Sequence, residues 1–354
     1  MKIFSRVVGL YTVFLLSTSV MGASPAFATP DVVTKDGATV GGNSSAQEVD
    51  TIVDLKKMSG VSGSVETKGH IQADDQAGMA FSIESKQPEG VLGNVAVPLA
   101  DGKWAVPENL PTGPDKPVDN AAVDDAIARA RTFVAAGRDL RWDSHGLTPL
   151  HTSGVVHEKS NKPYPIYCSS LVGMVLKGWD YEHTTYVADA NTSVGTSVDL
   201  GEAANITDVQ DDMWQSNKLA RWFYTHGDLW LNNGEQKYER GDLLFLAKQK
   251  PEGSDANTGE YFGNIYHVAM YIGDNKVIHS YAPDTDGGVV EQEMDEFLRE
   301  GTAFVARPDW QRAGSAGKSA PAKSDTKESR NDNGNGNAGK ETKVEPQQEG
   351  QLSN

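Results

Sequence analysis

Tyr266-His267-Val268-Ala269-Met270-Tyr271-Ile272, then Gly273-Asp274-Asn275, then Lys276-Val277-Ile278-His279-Ser280, is the stretch on which the reading of this 354-residue chain turns. Two apolar runs flank three turn-forming residues, the pattern of a β-hairpin. With Gly273, Asp274 and Asn275 as the loop, Ile272 pairs with Lys276 and Ala269 with His279. Side chains alternate across a strand, so this register puts His279 on the face of His267 and diagonal to it, within reach of a side-chain contact. Val268, Met270 and Ile272 make the opposite, apolar face. Two adjacent imidazoles suit a base and the group that orients it. A metal site is the alternative, but no third ligand stands at a recognisable spacing.

A base needs something to deprotonate, and the chain holds a single cysteine. Cys168, in Tyr167-Cys168-Ser169-Ser170-Leu171-Val172, opens a predicted helix with Leu171, Val172, Val175 and Leu176 on one face and Gly178 as its stop. The same counting aims the sulfur at the sheet. Free N–H groups at a helix start lower a thiol's pKa and favour thiolate. They also suit the oxyanion formed when sulfur attacks a carbonyl. The plain alternative is a small buried hydrophobe.

Working outward, Lys2 and Arg6, the apolar run Val7 to Val20 and Ala26-Phe27-Ala28 read as a secretory signal over 1–28. A secreted, extracellular or wall-associated protein is expected, with no membrane anchor after cleavage. The formal charge of −17, or −19 once Lys2 and Arg6 are lost, argues against nucleic acid or anionic membrane as partner. Segment 29–50 reads as flexible, and 313–354, nearly free of large apolar residues, as a disordered tail. Over 51–108, Met79, Phe81 and Ile83 alternate, as do Val95, Val97 and Leu99. Asp101-Gly102 then turns the chain into Trp104 and Val106, so a small β-rich module is expected. A proline-rich linker occupies 109–118.

The main domain is expected over 119–312. Asp119 or Asn120 caps a helix carrying Val123, Ile127, Ala130 and Val134, and Gly137 ends it. Strands are expected over 243–247, 268–272, 276–280 and 303–306. Helices first and strands later imply an α+β fold with helices packed on an antiparallel sheet. Trp214, Trp222 and Trp230 beside Phe223 and Tyr224 allow an aromatic groove, but a helix over 212–225 packing into the core is the favoured reading. Asp242 reads as a turn residue opening a strand, and Asp284 and Asp286 as solvated loop residues.

Three blocks in order, Cys168-Ser169-Ser170-Leu171-Val172, Arg240-Gly241-Asp242-Leu243-Leu244-Phe245 and His267 to Gly273 with Ile278-His279, resemble the NlpC/P60 family of cell-wall peptidases. The resemblance spans about 120–310. It implies a papain-like α+β core, Cys168 as nucleophile, His267 as base and His279 as orienter, with no metal and no cofactor. It also implies peptidoglycan as the partner, cut in its stem peptides between D-glutamate and the diamino acid. The family usually carries Asp-Cys-Ser-Gly where this chain has Tyr167-Cys168-Ser169-Ser170. Its oxyanion tyrosine falls at Leu140 in Gly137-Arg138-Asp139-Leu140-Arg141-Trp142, which leaves Tyr164 or Tyr167 as substitutes. Longer segments around Cys168, with Gly178 and Tyr181, are similar to phage-associated members. Gly69-His70-Ile71, Asp74-Asp75 and Gly78 to Ile83 are similar to a short β module at the front of phage tail-spike proteins, with a plain β-rich spacer as the alternative. An N-acetylmuramoyl-L-alanine amidase, another amide or ester hydrolase, and a catalytically silent wall-binding or virion-structural module are the competing functions. Nothing in the sequence sets an oligomeric state.

Overall fold

The fold comes from a computed structural model that describes residues 46–108, 110, 113, 118–143, 162–182, 193–201, 215–232, 234, 237–251, 261–281 and 288–310. The expected signal, the tail, and most of segments 29–50 and 109–118 lie outside the described residues, as do Trp214, Asp284 and Asp286.

The first part carries strands β1 (Gln47–Val49), β2 (Ser64–Thr67), β3 (Ala80–Glu84), β4 (Val97–Pro98) and β5 (Trp104–Glu108), with helices α1 (Ile52–Lys57) and α2 (Gly90–Val95). The strands form one sheet in the order β1-β2-β3-β5-β4. Strict alternation buries Val65 and Thr67 of β2 and leaves Ser64 and Glu66 exposed. The Asp101-Gly102 turn joins β4 to β5 as expected, with Gly102 at φ 82°. Val95, by contrast, ends a helix rather than opening a strand. Tertiary contacts hold that helix: the Gln249 side-chain amide donates to the carbonyls of Gly93, Asn94 and Ala96, and the Asn264 amide donates to Asn94 at 2.9 Å. The orphan carbonyls of a helix end are thereby satisfied from a distant part of the chain.

The larger part holds helices α3 (Asn120–Ala136), α4 (Cys168–Leu176) and α5 (Ser216–Thr225), and short strands β6 (Leu140–Trp142) and β7 (Tyr164–Ile166), which pair in parallel. Strands β8 (Leu229–Leu231), β9 (Leu243–Ala247), β10 (Ile265–Gly273), β11 (Lys276–His279) and β12 (Val290–Glu293), helix α6 (Glu296–Gly301) and strand β13 (Thr302–Ala306) complete it. Antiparallel pairing in the order β12-β11-β10-β9-β13-β8 builds a six-stranded sheet. The α+β class expected from the element order is the observed one.

Local chemistry sets the helix ends. Asp119 accepts from the N–H groups of Ala121 and Ala122 at 3.0 and 3.3 Å to start α3, and Gly137 at φ 51° ends it. One sheet face, with Val268, Met270, Ile272 and Ile278, packs into a core shared with α3, α4 and α5. The other, with Leu244, Leu246, Ala269 and Val277, packs on Leu298 of α6. Covered on both sides, β9 is buried at all five residues, which explains its unbroken apolar run. Leu219 and Phe223 of α5 enter the main core, and Trp230 sits buried in β8. The favoured core reading therefore holds for the described residues of this aromatic segment. Leu55, Val65 and Phe81 of the first part belong to that same core. Tyr224 reinforces the junction by donating its hydroxyl to the Gly78 carbonyl at 2.9 Å.

Candidate active site

Cys168 is the first residue of α4, after an extended Tyr167. Ser170 shapes this start: its Oγ accepts the Tyr167 N–H and donates to the Tyr167 carbonyl, both at 2.9 Å. The Val268 and Ser169 backbone N–H groups are directed at the sulfur. The sulfur therefore faces β10 at Val268, the residue after His267, as the helical spacing predicts. The expected thiolate is not the resting form. Burial pushes the Cys168 thiol up, and the N–H groups around it only partly offset that effect.

The hairpin brings its histidines together. Met270 pairs with Ile278 and Tyr271 with Val277, the register read from the sequence. The turn itself is tighter than expected. Asp274 and Asn275 alone form it, at φ 50° and 58°, while Gly273 pairs with Lys276. Two left-handed residues match the twist of the strands better than a three-residue loop. A register shift between Tyr271 and Gly273 absorbs the extra residue, so the alternation upstream is unchanged. His267 Nε2 and His279 Nδ1 lie 2.9 Å apart in a hydrogen bond.

Their surroundings hold both imidazoles neutral. His267 is 4 % exposed, and burial, followed by the His279 ring, keeps its pKa well below the ordinary imidazole value. Burial also lowers His279, with Gln292 and Asp295 pulling the other way. His279 Nε2 itself makes no hydrogen bond of ordinary geometry among the described residues. A neutral thiol and neutral imidazoles could exchange a proton without a charge being buried beforehand.

Sequence reasoning missed the aromatic wall around the two imidazoles. Tyr281 stacks on His279 at 5.6 Å between centroids and 9° between planes, and meets His267 edge-on at 5.6 Å and 66°. Phe297 of α6 lies 5.2 Å from Tyr281 and 6.3 Å from His267. Tyr281 had a legible signal, because it continues the period of two from His279. Phe297 had none. Leu140 and Tyr164 pair across β6 and β7, and both are buried in the main core. Tyr167 is half-buried at the helix start. Asp242 proves more than a turn residue. It accepts the Glu239 N–H at 2.8 Å and, fully buried, takes both Nε and Nη2 of Arg307 at 2.8 and 2.9 Å. Of the other histidines, His145, His151, His157 and His183 lie outside the described residues. His70 packs edge-on against Phe262, and His226 stacks on Trp222. Among the described residues no three His, Cys, Asp or Glu side chains gather as a metal site.

No family model matches the sequence, and no curated protein matches it. Solved structures do. An NlpC/P60 family protein from Bacillus cereus is 19 % identical over 60 % of this chain, with a TM-score of 0.25. The match spans only 50 % of that protein's own length. The P60 domain of an antigen from M. avium subspecies paratuberculosis is 16 % identical over 53 % of this chain and 94 % of its own, with a TM-score of 0.27. The peptidoglycan hydrolase RipB from Mycobacterium tuberculosis is 16 % identical over 54 % of this chain and 68 % of its own, with a TM-score of 0.26. These three structures are matched over 53 to 60 % of this chain's residues.

Proposed function

We propose that the protein is an exported cysteine hydrolase of the NlpC/P60 type, with a papain-like core, that cuts amide bonds in peptidoglycan stem peptides. One observation carries the reading. The only thiol of the chain opens a helix and faces the strand residue after His267, while His267 shares a 2.9 Å hydrogen bond with His279. With Nε2–H donating to His279, His267 keeps Nδ1 for the thiol proton. Sulfur attacks the amide carbonyl as that proton moves to His267, and the oxyanion meets the free N–H groups at the start of α4. Tyr167, half-buried at the helix start, is better placed than Tyr164 to add a side-chain donor. His267 then protonates the leaving amine, and the C–N bond breaks to leave a thioester. Water, deprotonated by His267, releases the carboxylic acid and restores the thiol.

The substrate class rests on the three sequence blocks, and the D-glutamyl–diamino acid bond is the finer reading within it. Amidase cleavage, N-acetylmuramoyl to L-alanine, keeps the same nucleophile. Purified sacculi test both. Wild type is expected to release soluble muropeptides, and a folded Cys168→Ala variant to lose release by about 10⁴-fold or more. Equal release by the two, or none by either across several wall types, sinks the reading. Mass spectra of the products separate endopeptidase from amidase.

A further inference from the structure

We propose that Tyr281 is a positioning residue whose ring face stabilises the histidine pair in its protonated state. The inference rests on the Cys168–His267–His279 reading and adds a group to it. A thiol–imidazole pair works by forming an imidazolium for part of each cycle, and the site offers that cation little. Burial opposes charge on both rings, and His279 Nε2 has no hydrogen-bond partner among the described residues. Gln292 and Asp295 act on His279 in favour of the cation, and of these only Asp295 carries a full charge.

An aromatic face is the remaining source of negative potential. The electron-rich face of a ring attracts a cation, by about 0.5–1 kcal/mol at exposed sites and by about 2 when desolvated. Tyr281 presents that face to His279 in near-parallel stacking, at 5.6 Å and 9°. The same ring meets His267 edge-on, so one residue restrains both imidazole planes. Phe297 backs the tyrosine at 5.2 Å and limits its tilt. Tyr281 lies two residues beyond the end of β11, so the chain leaving the strand carries its ring back over His279.

Direct titration of the histidines by NMR in the full chain tests this, together with the rate of Cys168 alkylation by iodoacetamide against pH. In Tyr281→Leu the active-site imidazole titration is expected to move further to acid by about half a pH unit. Alkylation near neutral pH should slow by about threefold to fivefold. Tyr281→Phe keeps the face and should match wild type in both. Stepwise fluorinated phenylalanines at 281 keep the shape while draining the ring charge, and should move the titration to acid in proportion. That series also keeps the test alive if leucine disturbs folding. An unchanged titration in Tyr281→Leu, a shift towards alkali (the mark of a ring that merely excluded water), or a flat fluorinated series overturns the proposal. Neither readout uses a substrate, so a failure of wall hydrolysis alone would sink the proposed reaction and leave this result standing.

Discussion

Two buried polar pairs lie on the same six-stranded sheet, and they are built in opposite ways. Asp242 and Arg307 join the entrance of β9 to the end of β13 through two hydrogen bonds, and the Glu239 N–H occupies the carboxylate further. His267 and His279 join β10 to β11 through one shared bond, with both rings buried. The first pair is charged and well satisfied, so it holds geometry. The second is neutral and under-satisfied, so its rings keep a basic nitrogen open although burial makes their charged form costly. Satisfaction, more than burial, separates a strut from a reactive site.

That contrast can be broken by experiment, and the largest effect should fall on the histidines. His267→Ala is expected to cut turnover of sacculi by about 10⁴-fold or more while leaving the unfolding midpoint nearly unchanged. A large loss of stability instead would make this pair a strut as well. Next comes His279→Phe, with turnover down by about a thousandfold, partly restored in His279→Asn, whose carbonyl can still accept from His267 Nε2. No difference between the two variants would remove the orienting role. Asp242→Ala should do the reverse. It leaves Arg307 without its partner and is expected to cost about 3 kcal/mol or more in urea unfolding, with activity per folded molecule retained.

The smallest effect is the pH dependence. Both imidazoles have native pKa values below the ordinary 6.5, so the unfolded chain binds more protons as the solution is acidified. Their stabilising contribution is therefore complete above about pH 6.5 and is lost as pH falls towards the native values, by about 1.4 kcal/mol per unit for each ring. Thermal unfolding between pH 7 and 5 should show a slope that flattens in His267→Gln. Equal slopes in the two proteins would contradict the depressed values. For the same reason the base stays neutral, and activity should persist to more acid pH than an ordinary imidazole allows.

The site was more legible than its electrostatics. The hairpin register, the helix start at Cys168 and the shared face of the two histidines follow from strand alternation and helix capping, which act over a few residues. The tight turn escaped notice because a shift after Tyr271 and a shorter loop cancel in register. The helix over Gly90–Val95 was unreadable because the amides that hold its end come from Gln249 and Asn264, more than 150 residues away. Asp242 looked like a turn residue because its first partner is three residues off and its second sixty-five.

By itself, then, the sequence determined the α+β order of elements, the nucleophile candidate and the pairing of the two imidazoles, since each depends on local periodicity. Only the tertiary structure decided their protonation. A helix start alone favours a thiolate, but burial between α4 and β10 costs a charged sulfur more than the nearby N–H groups return. Only the tertiary structure, too, set Tyr281 and Phe297 around the histidine pair, because packing between α6 and the sheet brings those rings together. Local patterns name the candidate reacting atoms; long-range burial sets the charges they carry.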